Sequence, residues 1–325
     1  MIYIYTPEIE TGGPQTLHQL AYELVKNGLA VEMVYLSGNN YSKRKTALYY
    51  NELNVCNDDS MIDTYENIII VPETLTYKLR QIRNAKRIIC WLSLDYYKRT
   101  TLWNTSKSRL IYRGLPPFLT PAEIIYRLIF HRESCLPTLH TKNDFCNIFH
   151  FYNCEYVKRY LVNKGLDERN MAYLCGYIDE SYFYEVDLSK KKRIITFNPA
   201  KIADKKFMEK FQNGVMETET NVEFVPIQNM TRDEVLEVLR KSMLYVDFGY
   251  FPGQERIPRQ AVSVYNNILT SDLGSARNSI DIPIDSRFKI PLRESRIDYA
   301  VRLAVDMLDK YKEYLYISTE IRSLP

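Results

Sequence analysis

The chain has 325 residues, of which 46% are hydrophobic and 26% are charged. This is the composition of a globular protein with about two domains, and it excludes a disordered chain or a small disulfide-stapled module. The formal net charge is only +3. Nucleic-acid binders concentrate far more basic charge against phosphate, so we expect no nucleic-acid partner.

Cysteine usage and hydropathy favour a cytoplasmic location. The six cysteines are scattered without a C-x-x-C pair, as is typical of reduced thiols. There is no run of 18 apolar residues, and the first residues lack the basic segment and the cleavage site of a secretory signal.

The first half of the chain alternates predicted strands and helices. Ile2–Tyr5 is a short apolar run that leads into a glycine-containing loop, and the residues of Leu17–Val25 place their apolar side chains on one helical face. A strand at 31–36 then completes a strand–helix–strand unit with parallel strands. Further strands are predicted at 67–71, 87–94, 145–152 and 172–175, and helices at 74–83, 120–130 and 155–164.

The same alternation begins again after a polar connection at 179–192. Strands are predicted at 193–197, 222–225, 243–248 and 268–270, and helices at 204–211, 232–239, 257–265 and 297–316. This pattern predicts an α/β fold of two Rossmann-like, doubly wound domains facing a central cleft. The domains are predicted at 1–178 and 193–296, with a C-terminal segment at 297–325 whose helix could cross back to the N-terminal domain.

Gly12 and Gly13 lie between the first strand and the first helix. Without side chains they let a ligand approach the backbone, and a helix N-terminus offers N–H groups to an anion. A tight turn that requires glycine explains the pair equally well. Gln15 and Thr16 follow Pro14, so the dinucleotide fingerprint G-x-G-x-x-G is missing.

A second glycine-containing segment follows the predicted strand at 243–248. Gly249 and Gly253 allow close backbone approach, and Arg256 and Arg259 supply cations at the carboxyl edge of a sheet, where α/β proteins bind ligands. A diphosphate would suit this arrangement. A surface loop held by salt bridges is the alternative.

Two further loops also follow predicted strands. Asn198 and Lys201 come after the strand at 193–197, and Lys201 could reach a phosphate as a point charge. Ser275 belongs to a turn of small residues whose amides could bind an anion. A solvated lysine cluster and an ordinary turn are the alternatives.

Other polar residues are of types that can bind metals or act as general bases. The histidines and cysteines from His131 to Cys154 lack metal-binding spacing, so we expect no metal site. Asp95 and Glu73 each follow an apolar strand, where a general base could sit. For both carboxylates, a helix cap or loop role is the alternative.

Several segments together resemble the GT-B glycosyltransferases, particularly the group-one transferases of bacterial polysaccharide assembly. The similarity spans the whole chain. It rests on Thr11-Gly12-Gly13, on Gly176-Tyr177-Ile178-Asp179 with Phe183, and on the loops at 248–261 and 271–276.

The resemblance implies transfer of a sugar from a nucleoside-diphosphate sugar to a hydroxyl of a glycan or lipid-linked acceptor. It implies no cofactor and no bound metal, because basic residues and helix dipoles neutralise the leaving diphosphate. It also implies that the donor is held by Gly12, Gly13, Asn198, Lys201, Gly249, Gly253, Arg256, Arg259, Gln260 and Ser275.

The sequence departs from this family at one pair of positions. Retaining members carry two glutamates separated by seven residues, and these positions are Pro252 and Gln260 here. The stereochemistry therefore stays open, and Glu255 and Asp95 are the candidate catalytic residues. A non-catalytic sugar-nucleotide or glycan-binding protein and a sugar-nucleotide epimerase are alternative functions.

The segment at 124–132 is both basic and apolar. It could contact a bilayer, which would place the protein peripherally at the inner membrane face. A helix packed against the core is the alternative.

Overall fold

The chain divides into two compact units, 1–176 and 177–325. The computed structural model describes residues 1–7, 11–35, 53–56, 58–131 and 142–315. Each unit is built on its own parallel sheet, so the predicted α/β fold with two Rossmann-like units is confirmed.

The sheet of the first unit has seven strands in the order β3-β2-β1-β4-β5-β6-β7, with parallel neighbours throughout. The strand order reverses between β1 and β4, and such switch points are where open α/β sheets bind ligands. The strands are β1 (Ile2–Thr6), β2 (Val31–Tyr35), β3 (Asn54–Cys56), β4 (Ile68–Pro72), β5 (Lys86–Trp91), β6 (Phe149–Tyr152) and β7 (Met171–Tyr173).

The strand predictions for this unit hold with shifted ends. The predicted strand at 87–94 ends at Trp91, and the one at 145–152 begins only at Phe149. Strand β3 was not predicted, because three residues are too few to show a period.

The helices of the first unit are α1 (Gly12–Lys26), α2 (Leu94–Thr100), α3 (Leu102–Tyr112), α4 (Thr120–Phe130), α5 (Lys142–Phe145) and α6 (Glu155–Asn163). The predictions of α1, α4 and α6 are confirmed, whereas α2 and α3 were not predicted. The helical stretch predicted at 74–83 is not an α-helix. Residues 73–80 form 3₁₀ turns instead, because the backbone at Leu75 leaves the helical range (φ −113°, ψ 17°).

Two apolar clusters make up the core of the first unit. One contains Tyr5, Trp91 and Phe145, and the other contains Leu17 and Met33, all of them buried. Burying each such side chain stabilises the fold by about 1.5–3 kcal/mol. The helical stripe of α1 therefore forms part of the core, as its spacing predicts.

The sheet of the second unit has five parallel strands in the order β12-β11-β10-β8-β9, and its switch point lies between β8 and β10. The predicted strands of this half are confirmed, and β12 is an addition. The strands are β8 (Lys192–Phe197), β9 (Glu223–Pro226), β10 (Ser242–Asp247), β11 (Asn267–Ser271) and β12 (Lys289–Ile290).

Within residues 177–315, the helices of this unit are α7 (Lys205–Thr218), α8 (Arg232–Lys241), α9 (Arg256–Ser263), α10 (Ile297–Asp309) and α11 (Tyr311–Tyr314). The single helix predicted at 297–316 is two helices, because the backbone leaves the helical range at Lys310. Helix α10 packs on α7 at Gly214, where an added Cβ would lie 2.8 Å from Cγ2 of Val301. That contact requires glycine.

The predicted polar connection contains a buried cation. Lys191 Nζ donates hydrogen bonds to the carbonyl oxygens of Leu239 (3.0 Å), Ser242 (2.8 Å) and Val264 (2.6 Å). These carbonyls lie at the C-terminal ends of α8 and α9, where helix carbonyls lack partners. Lys191 is therefore buried, although its segment was predicted only as a polar connection.

Among the residues that the structure describes, no helix combines the length and the apolar character needed to cross a membrane.

Candidate functional site

Three charged side chains meet at the switch point of the second sheet. Lys201 lies in the 3₁₀ turn that follows β8, Asp247 is the last residue of β10, and Glu255 directly precedes α9. The ammonium group of Lys201 is paired with the carboxylate of Glu255. The fold thus brings together two residues that the sequence placed 54 positions apart.

Asp247 is buried beside this pair. Its carboxylate accepts hydrogen bonds from the Tyr245 hydroxyl (3.0 Å) and from the Gly249 N–H (3.1 Å). Burial raises the pKa of Asp247, and the charge of Lys201 opposes that shift. Burial lowers the pKa of Lys201, and the charge of Asp247 opposes it. Each charge therefore supports the ionised form of the other.

Asp247 is not among the residues predicted from the sequence, although the sequence contains a signal for it. It ends an apolar run, Leu244-Tyr245-Val246, just as Asp95 and Glu73 follow apolar runs. The same criterion applied to β10 would have found it.

The packing of neighbouring protein atoms requires a glycine at position 249. An added Cβ would lie 2.7 Å from the carbonyl oxygen of Lys201 and 2.7 Å from Oδ1 of Asp247. The backbone of Gly249 also bridges to Ile202, beside the hydrogen bond from the Ala203 N–H to the Phe248 carbonyl (3.0 Å). The close backbone approach predicted for this glycine is thus an approach to the turn that carries Lys201.

Hydrogen bonds join the loop that contains Gly253 to the turn that contains Gly274 and Ser275. The Ser275 hydroxyl donates to the Gly253 carbonyl (2.7 Å), and its N–H donates to the Phe251 carbonyl (2.9 Å). Gly274 has φ 65°, and an added Cβ would lie 2.1 Å from the Phe251 oxygen. The contacts of Ser275 and Gly253 in this structure therefore fix the conformation of the two loops.

The other predicted donor residues lie on the same two elements. Oδ1 of Asn198 accepts the Ala200 N–H (3.0 Å) and so caps the turn that presents Lys201. Arg256 is the first residue of α9, and Arg259 and Gln260 follow within one turn; all three are half-buried.

In the first unit, α1 begins at Gly12, so the glycines are not in a loop as expected. Pro14 fits the first helical turn, where its missing N–H costs no helical hydrogen bond. An added Cβ on Gly13 would lie 3.2 Å from Cδ1 of Leu92, whereas one on Gly12 would meet nothing within 4 Å. Gly12 is thus the open position of the pair.

A buried carboxyl group lies at the switch point of the first sheet. Oε2 of Glu73 accepts the Leu92 N–H (2.9 Å), while the Asn153 amide donates to the Leu92 carbonyl (2.9 Å). Burial raises the pKa of Glu73 to about 7, and hydrogen bonds from backbone N–H groups oppose the shift. Leu92, which directly follows β5, is therefore held by residues that directly follow both neighbouring strands, β4 and β6.

Asp95 lies in the first turn of α2 and not directly at the end of β5. The hydroxyl of Ser93 accepts the Tyr96 N–H (3.3 Å) and starts the helix early. Oδ1 of Asp95 lies 3.6 Å from Nζ of Lys98. The predicted strand-end position of Asp95 is therefore wrong.

The histidines and cysteines of the central segment do not gather. Across the described ranges, no three His, Cys, Asp or Glu side chains come together as a metal site. Cys135 and His140 lie outside the described residues. His150 is buried, and its Nδ1 accepts the Trp91 indole N–H (3.0 Å), so its role here is in packing.

No family model and no curated protein matches this chain. Among solved structures, the chain is similar to a variant of TarM from S. aureus, solved with fondaparinux, α-GlcNAc-glycerol and UDP. The TM-score is 0.66 at 8% identity, and the match covers 99% of this chain and 95% of that chain.

Two further solved structures are similar over almost the whole chain. HepE from Anabaena, solved with UDP and glucose, gives a TM-score of 0.60 at 8% identity, covering 99% of this chain and 93% of that chain. Sucrose-phosphate synthase from Thermosynechococcus elongatus gives 0.58 at 11% identity, covering 99% and 92%. At these identities the similarity shows a shared fold.

Proposed function

We propose, from the premise that this chain has the fold of the GT-B glycosyltransferases, that it transfers a hexosyl group from a UDP-sugar to a hydroxyl of a glycan or lipid-linked acceptor. The observation that carries the proposal is the charged group of Lys201 and Glu255 at the switch point of the second sheet. The choice of UDP is supported by its presence in the TarM and HepE structures.

The cations of this site suit a leaving diphosphate. Lys201 offers a partly buried ammonium group, and Arg256 and Arg259 begin α9, whose N-terminus also favours negative charge. Such fixed positive charge stabilises the diphosphate as the bond from the anomeric carbon to its oxygen breaks. The proposal therefore requires no metal ion.

Glu255 and the diphosphate of the donor compete for the ammonium group of Lys201. A bound diphosphate would take over the ammonium group, because it brings more negative charge than one carboxylate. Glu255 would then be free to accept a hydrogen bond from a sugar hydroxyl.

The acceptor determines where the reaction takes place. Glycans under assembly are often carried on lipids, and a lipid-linked acceptor would bring the protein to the cytoplasmic face of the inner membrane. This location agrees with the reduced cysteines expected from the sequence.

Binding of UDP to three proteins tests the donor site: the unsubstituted chain, Lys201→Met, and the control Lys205→Met, which removes an exposed lysine four residues away. We expect Lys201→Met to weaken UDP binding about tenfold or more, as when one charged partner of a phosphate is lost. Lys205→Met should bind UDP like the unsubstituted chain. Equal affinity in all three proteins would contradict the proposal.

A transfer assay separates this function from its alternatives. UDP-glucose and UDP-GlcNAc are incubated with the protein, with and without a panel of glycan and lipid-linked acceptors. Release of UDP that depends on an acceptor supports the transferase. UDP binding without release under any condition favours a non-catalytic binding protein, and conversion of the sugar without an acceptor favours an epimerase.

A further inference from the structure

Helices α3 and α4 form a hairpin whose inner face is polar. Nη1 of Arg127 donates hydrogen bonds to the hydroxyls of Thr105 (2.8 Å) and Ser106 (2.9 Å). Nε of Arg109 lies 3.3 Å from Oε1 of Glu123, which is buried. The buried residues of α4 are Thr120, Glu123 and Arg127.

The outer face of the hairpin is apolar. Tyr112 is 92% exposed, Phe118 78% and Phe130 67%. The other large apolar residues exposed within 103–130 are Trp103, Ile111, Leu115, Ile125, Tyr126, Leu128 and Ile129. This is the reverse of a helix packed on a water-soluble core, and a surface this apolar is typical of a contact site.

The charges of this region have one sign at the surface. Residues 98–131 contain Lys98, Arg99, Lys107, Arg109, Arg113 and Arg127, against the single acidic residue Glu123. Because Glu123 and Arg127 are both buried, the surface of this fully described segment presents the other five cations and no carboxylate. Such a surface is complementary to an anionic partner.

Helices α3 and α4 are too short to cross a bilayer, but they are long enough to lie on its surface. Each has 11 residues, or about 16 Å, roughly half the hydrocarbon thickness of a bilayer. Exposed Trp and Tyr side chains with basic neighbours are typical of helices that lie in the membrane interface.

We propose that the α3–α4 hairpin is a docking surface for a bilayer that contains anionic phospholipid. A second copy of the chain is the poorer partner, because two such hairpins would bring cations against cations. This proposal rests on the first unit alone and does not depend on the donor site of the second unit.

Vesicle co-sedimentation tests the proposal with two matched variants. Ile125→Ser/Ile129→Ser/Phe130→Ser removes exposed apolar groups of α4, and Ile62→Ser/Tyr65→Ser removes exposed apolar groups elsewhere in the unit. The unsubstituted protein should bind vesicles with about 30% phosphatidylglycerol at least tenfold more tightly than pure phosphatidylcholine. The triple variant should lose about tenfold or more, and the double variant little.

Tryptophan fluorescence gives an independent measurement. Of the two tryptophans, Trp91 is fully buried and Trp103 is 53% exposed. Anionic vesicles should shift the emission to shorter wavelength, and Trp103→Phe should abolish the shift while the protein still sediments with the vesicles. Persistence of the shift in Trp103→Phe would contradict docking through α3.

Other results would also overturn the proposal. Equal sedimentation of the triple variant and the unsubstituted protein, with unchanged circular dichroism and thermal unfolding, would show that α4 does not bind the bilayer. Dimers that form without lipid and disappear in the triple variant would assign the surface to a second copy. Failure of UDP binding alone would leave the hairpin proposal intact.

Discussion

The two sheets have the same kind of switch point, but they place different chemistry there. In the second unit the strand ends carry Lys201 and Asp247, with Glu255 paired to the lysine. In the first unit, Glu73 follows β4 and is buried among backbone N–H groups. In the second unit the charge of Lys201 opposes the rise that burial causes in the pKa of Asp247. In the first unit burial raises the pKa of Glu73 to about 7, and hydrogen bonds from backbone N–H groups oppose the shift.

This difference shows which unit suits an anionic ligand. The ion pair of the second unit can exchange Glu255 for a phosphate, because its cation remains in place when the carboxylate leaves. The buried carboxyl of the first unit would repel an anion whenever it is ionised. It serves better to hold the end of β5, where it binds Leu92.

The largest effect we predict concerns the pH dependence of the first unit. Because the pKa of Glu73 is about 7 in the folded protein, above its ordinary value of 4.5, the folded state binds this proton more tightly than the unfolded chain. The stability it contributes is present below pH 4.5 and is lost as the pH rises through about 7. The loss should reach about 3 kcal/mol.

Denaturant unfolding from about pH 5 to pH 8 measures this effect in the unsubstituted chain and in Glu73→Gln. The variant cannot ionise, so relative to the unsubstituted chain it should gain stability as the pH rises. Glu66→Gln, an exposed carboxyl of the same unit, should follow the unsubstituted chain. A constant difference between Glu73→Gln and the unsubstituted chain would mean that Glu73 does not titrate in this range.

A pair of glycine substitutions compares the packing at the two switch points. Gly249→Ala places a Cβ against the backbone of Lys201 and should lower the free energy of unfolding by about 2 kcal/mol, as overpacking does. Gly12→Ala meets open space and should change it by less than about 0.5 kcal/mol. Equal effects in the two variants would show that the second switch point is not tightly packed.

The smallest effect concerns the competition for Lys201. Glu255→Gln removes the carboxylate that holds the ammonium group, so UDP should bind about three- to tenfold more tightly, or by about 1 kcal/mol. Glu294→Gln is the matched control, because it removes a carboxylate from the exposed ion pair with Lys210. Weaker UDP binding in Glu255→Gln would instead make Glu255 a direct contributor to the donor site.

Hydrophobic periodicity predicted most of the regular elements. The strands and α1 follow from short apolar runs and from a helical stripe, because both patterns depend on neighbours in the chain. The helices α2 and α3 escaped prediction for a physical reason. The buried residues of α3 are Ser106 and Leu110, so its sequence shows no apolar stripe facing a core.

The candidate site was only partly predictable. Lys201 and Glu255 were found because each stands near the end of a predicted strand or the start of a helix. Their pairing was not found, since it depends on β8 and β10 being neighbours in the sheet. The burial of Lys191 was not predicted for a similar reason, because its three carbonyl partners come from distant parts of the chain.

The sequence by itself determined the α/β class, the two-fold repetition of the pattern, and the position of charged residues at strand ends. Local spacing carries that information, because strand and helix periods are properties of adjacent residues. The tertiary structure decided that Lys201 meets Glu255 and that Glu73 is buried among backbone N–H groups. It also decided that the α3–α4 hairpin is polar inside and apolar outside. Those properties arise from strand order and burial, which depend on contacts between residues far apart in the chain.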